Sequence, residues 1–102
     1  MLRADEIEKI VYTGLARILA GARGHIRVFK AKDIAIAAGI EPKTITLTII
    51  KSYLDGLVEK GLLIPEDKQR IHTKRRGRRK KVTYRRYIIT RENPLWAKLV
   101  GT

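Results

Sequence analysis

Cysteine is absent from this 102-residue chain, which excludes a disulfide framework, a thiolate nucleophile and a cysteine-based zinc site, and fits a reducing compartment. No apolar run approaches the roughly 18 residues that a membrane span needs, and the opening Met1-Leu2-Arg3-Ala4-Asp5-Glu6 lacks the apolar core of a signal peptide. The expectation is a soluble cytoplasmic protein with no membrane partner. Also missing are a phosphate-binding Gly-Lys-Ser/Thr loop, a nucleophile elbow and a His-Glu pairing at metalloenzyme spacing, so neither an enzyme nor a cofactor is expected. His25 and His72 are far apart, with no clustered carboxylates to complete a metal site, and read as surface residues. A single Asn, a single Gln and a single Met beside fourteen Ile is a composition poor in thermolabile residues, one that fits a thermophilic source.

Acid is scarce in one region only. Residues 1–67 hold ten Lys and Arg against nine Asp and Glu, whereas residues 68–102 hold thirteen against one, which accounts for nearly all of the net charge of +13. Within that region, residues 68–86 carry eleven cations and no acid. Such a stretch repels itself unless something anionic lies against it, so it reads as a contact surface for a polyanion.

The length suits one domain, residues 1–102, built on a single core. Ile7, Ile10, Val11, Gly14, Leu15 and Ile18 recur at helical spacing and predict a first helix over residues 4–20, with Asp5, Glu6 and Glu8 at its N-terminus. Gly21 and Gly24 end it, and residues 25–30 alternate as a short strand. Ile34, Ala35 and Ala38 mark a second helix over residues 31–38, with Gly39 placed for a left-handed cap. Pro42 suits a first helical position. From Thr44 to Lys60 a third helix puts Thr46, Leu47, Ile50, Tyr53, Leu54, Leu57 and Val58 on one side.

Residues 62–90 read as one long antiparallel hairpin turning at Gly77, with Leu63-Ile64 opposite Ile89-Thr90 and Ile71 opposite Thr83. Arg85-Arg86 interrupts the alternation between Tyr84 and Tyr87 and suggests a bulge. Residues 91–102 form a tail too short for an independent helix, which Trp96 is expected to pin to the body. Its Leu95, Trp96, Leu99 and Val100 either join two copies as a homodimer or close the core, and both stay open.

Leu54-x-x-Leu57-x-x-x-Gly61-Leu62-Leu63 resembles the end of the recognition helix and the first wing strand of archaeal and bacterial winged-helix transcription regulators. Lys32-Asp33-Ile34-Ala35-x-x-Ala38-Gly39-Ile40 is similar to the second helix and turn of that family, so the resemblance spans about residues 4–90. It departs from the family between Gly39 and Ile50, where the chain is longer than a tight turn and leaves open an early start to helix 3 or an extended loop. The resemblance implies an α+β winged helix-turn-helix of three helices, a small sheet and a long basic wing. Its expected partner is double-stranded DNA, in a transcription-regulating or chromatin-like, nucleoid-associated role.

On that reading helix 3 offers Lys43, Thr44, Thr48, Lys51 and Ser52 to DNA, while Asp55 and Glu59 point away. The face has no Arg, Asn or Gln, the side chains that make good bidentate base contacts, so low to moderate sequence specificity is expected. Arg70, Lys74, Arg75, Arg76, Arg78, Arg79, Lys80, Lys81 and Arg85 of the wing are the phosphate-neutralising set. Other readings remain beside these. A structural RNA-binding part of a ribonucleoprotein such as the ribosome suits the same composition, and winged helices also dock protein partners. The run over residues 74–81 also suits a solvated tail or a targeting signal. Gly21-Ala22-Arg23-Gly24 matches a GXXG backbone clamp or a plain helix cap, and Tyr84 and Tyr87 either stack on bases or pack.

Overall fold

The computed structural model describes residues 3–73 and 79–100, an α+β arrangement of four helices and a three-stranded antiparallel sheet. α1 (Ala4–Ala20) carries Asp5 and Glu6 in its first turn and buries Val11, Gly14, Leu15 and Leu19. Gly14 is where α2 (Ala31–Ala37) crosses: a Cβ there would stand 2.5 Å from the Ile34 carbonyl oxygen, so the two helices lie closer than any side chain allows. α2 ends as its sequence predicts. Gly39 has φ +76, and the Ile40 N–H donates to the Ala35 carbonyl at 2.9 Å.

α3 (Thr44–Glu59) starts early, which accounts for the long interval after Gly39, since four residues, 40–43, complete the connection. Pro42 is not its first helical residue, contrary to expectation. The Lys43 N–H returns to the Glu41 carbonyl at 2.8 Å, so Pro42, with its fixed φ, is the centre of a three-residue turn, and Lys43 is the extended N-cap. Ile50, Leu54 and Leu57 are buried. Gly61 (φ +76) then redirects the chain, with the Leu62 N–H on the Leu57 carbonyl at 2.9 Å.

β3 (Arg79–Thr90) is the central strand, between β1 (Ile26–Phe29) and β2 (Ile64–Thr73). The hairpin exists, but its register differs from the expected one: Ile64 faces Ile88 and Ile71 faces Lys81. There is no bulge at Arg85-Arg86 either. Pairing runs unbroken from Ile64↔Ile88 to Thr73↔Arg79 and sets Glu66 opposite Arg86 and Asp67 opposite Arg85, two favourable cross-strand charge pairs. The two arginines do not break the alternation, because both faces of the strand are used. Arg85, Tyr87 and Ile89 face the helices, and Arg86 and Ile88 the other side. The turn expected at Gly77 lies outside the described residues.

The tail forms a helix, α4 (Pro94–Val100), which corrects the expectation of three helices. A helix this short survives through tertiary contacts: Leu95 and Trp96 are buried in the core. Asn93 anchors its start, accepting from the Leu95 N–H at 2.9 Å while its own Nδ2 donates to the Leu62 carbonyl at 2.5 Å. The core also holds Tyr87 stacked on Phe29, ring centroids 5.9 Å apart. Among the described residues no helix is long and apolar enough to cross a membrane.

Candidate nucleic-acid interface

With Ile50, Leu54 and Leu57 fixed inward, helical geometry turns Lys43, Thr44, Ile45, Thr48, Lys51 and Ser52 to solvent, and all six are exposed. Five of these are the residues named from the sequence; Ile45, at 75% exposure, is additional. The Thr48 hydroxyl donates back to the Thr44 carbonyl at 2.9 Å, and Lys43 pairs with Glu41 at 3.7 Å on the surface.

Thr44, Thr48 and Lys51 form one wall of a groove of about 310 Å³ that also takes in Lys30, Lys32, Thr83 and Tyr84. Three elements converge on it: the start of α2, the first half of α3 and the middle of β3. Lys30 Nζ lies 5.7 Å from the Tyr84 ring centroid, a cation–π contact. The groove can receive an anion, since its walls bring lysines and threonine side chains together. Sequence reasoning missed Lys30, Lys32 and Thr83, which are separated from α3 along the chain. The signal available was two lysines at the mouth of helix 2. Ser52 stands apart, beside Ala4, Ile7 and Tyr53 on the α1 side of α3.

The base of the hairpin is locked to α3. Arg85 grips Asp67 of β2 with two hydrogen bonds, Nε to Oδ1 at 2.7 Å and Nη2 to Oδ2 at 3.2 Å, and its Nη1 donates to Asp55 of α3 at 3.2 Å. Tyr87 completes the cluster, its hydroxyl donating to the same Asp55 oxygen at 2.7 Å. Hydrogen bonding to Asp67 and then Asp55 pushes the Arg85 pKa up, and the Arg85 hydrogen bond holds Asp67 below its usual range. Burial and the Asp55 bond push the Tyr87 phenol up. One strand position along, Arg86 pairs with Glu66, whose carboxyl is likewise held low, while Lys68 stands 3.7 Å from it. Asp55 thus turns to the hairpin, and Arg85, counted from sequence among the phosphate-neutralising cations, has its charge matched by two carboxylates.

Beyond this base lie the register positions Arg70↔Val82, Ile71↔Lys81, His72↔Lys80 and Thr73↔Arg79, which string Arg70, Lys81, Lys80 and Arg79 along the two strands. Lys74, Arg75, Arg76 and Arg78 lie outside the described residues. Residues 68–84 hold nine Lys and Arg and no acid, so the unbalanced charge begins where the Arg85 and Arg86 pairs end. Two alternatives resolve structurally. Gly21 caps α1 and β1 follows, where a GXXG clamp would need a second helix, and Tyr87 is fully buried, so it packs. No family model matches the chain, nor does any curated protein or solved structure.

Proposed function

We propose that this protein binds double-stranded DNA as a winged-helix domain, with α3 as the recognition helix in the major groove and the β2–β3 hairpin as a wing along the backbone or in the minor groove. The observation that carries this reading is the groove itself. Lys30, Lys32 and Lys51 meet Thr44, Thr48 and Thr83 between the first turns of α3 and the strand leading to the cationic end of the hairpin. A phosphate backbone passing through it would keep the exposed first turns of α3 against base edges and the cation-rich, acid-free residues 68–84 near neighbouring phosphates. The helix order, the glycine-terminated α3 and the three-stranded sheet are compatible with that architecture. With phosphate contacts dominant, the role is closer to a backbone and shape reader than to a highly selective switch.

The test is a comparison of duplex DNA, single-stranded DNA and structured RNA at two salt concentrations. Duplex preference is expected, with affinity falling steeply with salt, at a log–log slope of roughly −5 if about six phosphates are engaged. A clear preference for structured RNA would move the protein to a ribonucleoprotein, and binding to none of the three would make it a protein-docking module.

A further inference from the structure

Ile45 has no structural reason to be where it is. It is the most exposed of the large hydrophobic residues described, and a β-branched side chain facing water on a helix gains nothing from packing and loses rotamer freedom. Alanine, lysine or glutamate would stabilise the helix more at such a position. It lies in the first turn of α3, the part of a recognition helix that reaches base edges.

Its neighbours on that face lack the guanidinium and amide groups that make the best bidentate hydrogen bonds to bases. Ile45, Thr48 and Ser52 fall within roughly 60° of the helix circumference. The Thr48 hydroxyl proton is taken by the Thr44 carbonyl, so outward it offers a methyl and a lone pair, and no Arg, Asn or Gln is present on the face. The major-groove edge has one apolar feature, the 5-methyl group of thymine.

We propose that Ile45 is the specificity-determining residue of this protein and reads thymine methyl groups in the major groove, an inference that rests on the duplex-binding function above. A second copy of the chain is the wrong occupant. One isoleucine on a face that also exposes Lys43 and Lys51 gives a copy of the same charge no broad apolar area to bury, whereas the strongly basic chain suits a polyanion.

The experiment compares an alternating A·T duplex with the same duplex carrying uracil for thymine, which removes only the methyl, at one fixed salt concentration. The wild-type protein is expected to bind the thymine duplex tighter by about fourfold for each methyl it desolvates. Ile45→Ala, at an exposed position and with a better helix former, is expected to keep the fold and bind both duplexes equally. A G·C duplex with 5-methylcytosine should gain affinity over plain G·C for the wild type and not for the variant. Equal, tight wild-type binding to the thymine and uracil duplexes overturns this inference and leaves duplex binding standing, as does a thymine preference that persists in Ile45→Ala. Failure to bind either duplex overturns both. A change in the mass of the DNA-free variant by light scattering would assign Ile45 to a contact between copies and overturn the proposal.

Discussion

In residues 3–67, ten Lys and Arg are set against nine Asp and Glu, and three of those acids reach outside the region to the base of the hairpin. Asp33 accepts from the Lys30 N–H, and Asp55, Glu66 and Asp67 hold Arg85 and Arg86. In residues 68–84 nine cations have no acid among them. The first region is organised around a buried layer of Leu15, Ile34 and Leu54, over which Tyr87 of β3 packs, and the second is a two-stranded arm. The difference separates core from charge: the body can be weakened without touching the excess charge, and the arm discharged without touching the core.

The strongest way to break that division is to replace Arg75, Arg76, Arg78 and Arg79 together with alanine. Duplex affinity at low salt should fall on the order of 10²- to 10³-fold and the salt slope should flatten by about 3 to 4, with the thermal midpoint unchanged. Affinity that survives the change would show that the arm is not the contact surface. Gly14→Ala tests the body. The added methyl meets the Ile34 backbone, and a cost of about 1–3 kcal/mol is expected, seen as a lower thermal midpoint with the DNA affinity of the folded protein intact.

Acid tests the join between the regions, and its effect is the smallest. Glu66 and Asp67 are held below their usual pKa values by Arg86 and Arg85, so their contribution is fully present at neutral pH. It is lost as pH falls through those depressed values, below the ordinary carboxylate range. Amide NMR should show Ile64, Glu66, Asp67 and residues 85–88 shifting there while α1 and α2 remain folded. Simultaneous loss of the whole spectrum would show that the base of the arm is not a separate unit.

The first three helices and the Gly39 cap were legible in the sequence because their signals are local: apolar spacing for α1 and α3, and a glycine at Gly39 where a left-handed residue is needed. The hairpin register was not. Residues 65–70 of β2 contain no large apolar side chain, so no hydrophobic pattern pins one alignment, and the choice falls to Glu66–Arg86 and Asp67–Arg85 across the ladder. α4 was hidden for a related reason. Seven residues do not announce a helix, and what holds them, Asn93 on the Leu62 carbonyl and Trp96 in the core, is remote in sequence. Half of the candidate site was readable from the α3 face, whereas Lys30, Lys32 and the grip on Arg85 emerge only when three separate segments meet.

The strand order β1-β3-β2 also sets a timetable for the growing chain. Ile26 pairs with Thr90 and Phe29 with Tyr87, so the first strand made waits for the last. A ribosome delivers α1, β1, α2 and α3 before any partner for β1 exists, and Phe29 lacks its stacking ring until Tyr87 has emerged. The neighbouring strands β2 and β3 can zip together first, and the finished ribbon must then dock on β1 as one piece. A chain cut short before residue 87 would therefore expose the apolar layer of the body, and this domain cannot close its sheet until residues 87–90 have emerged.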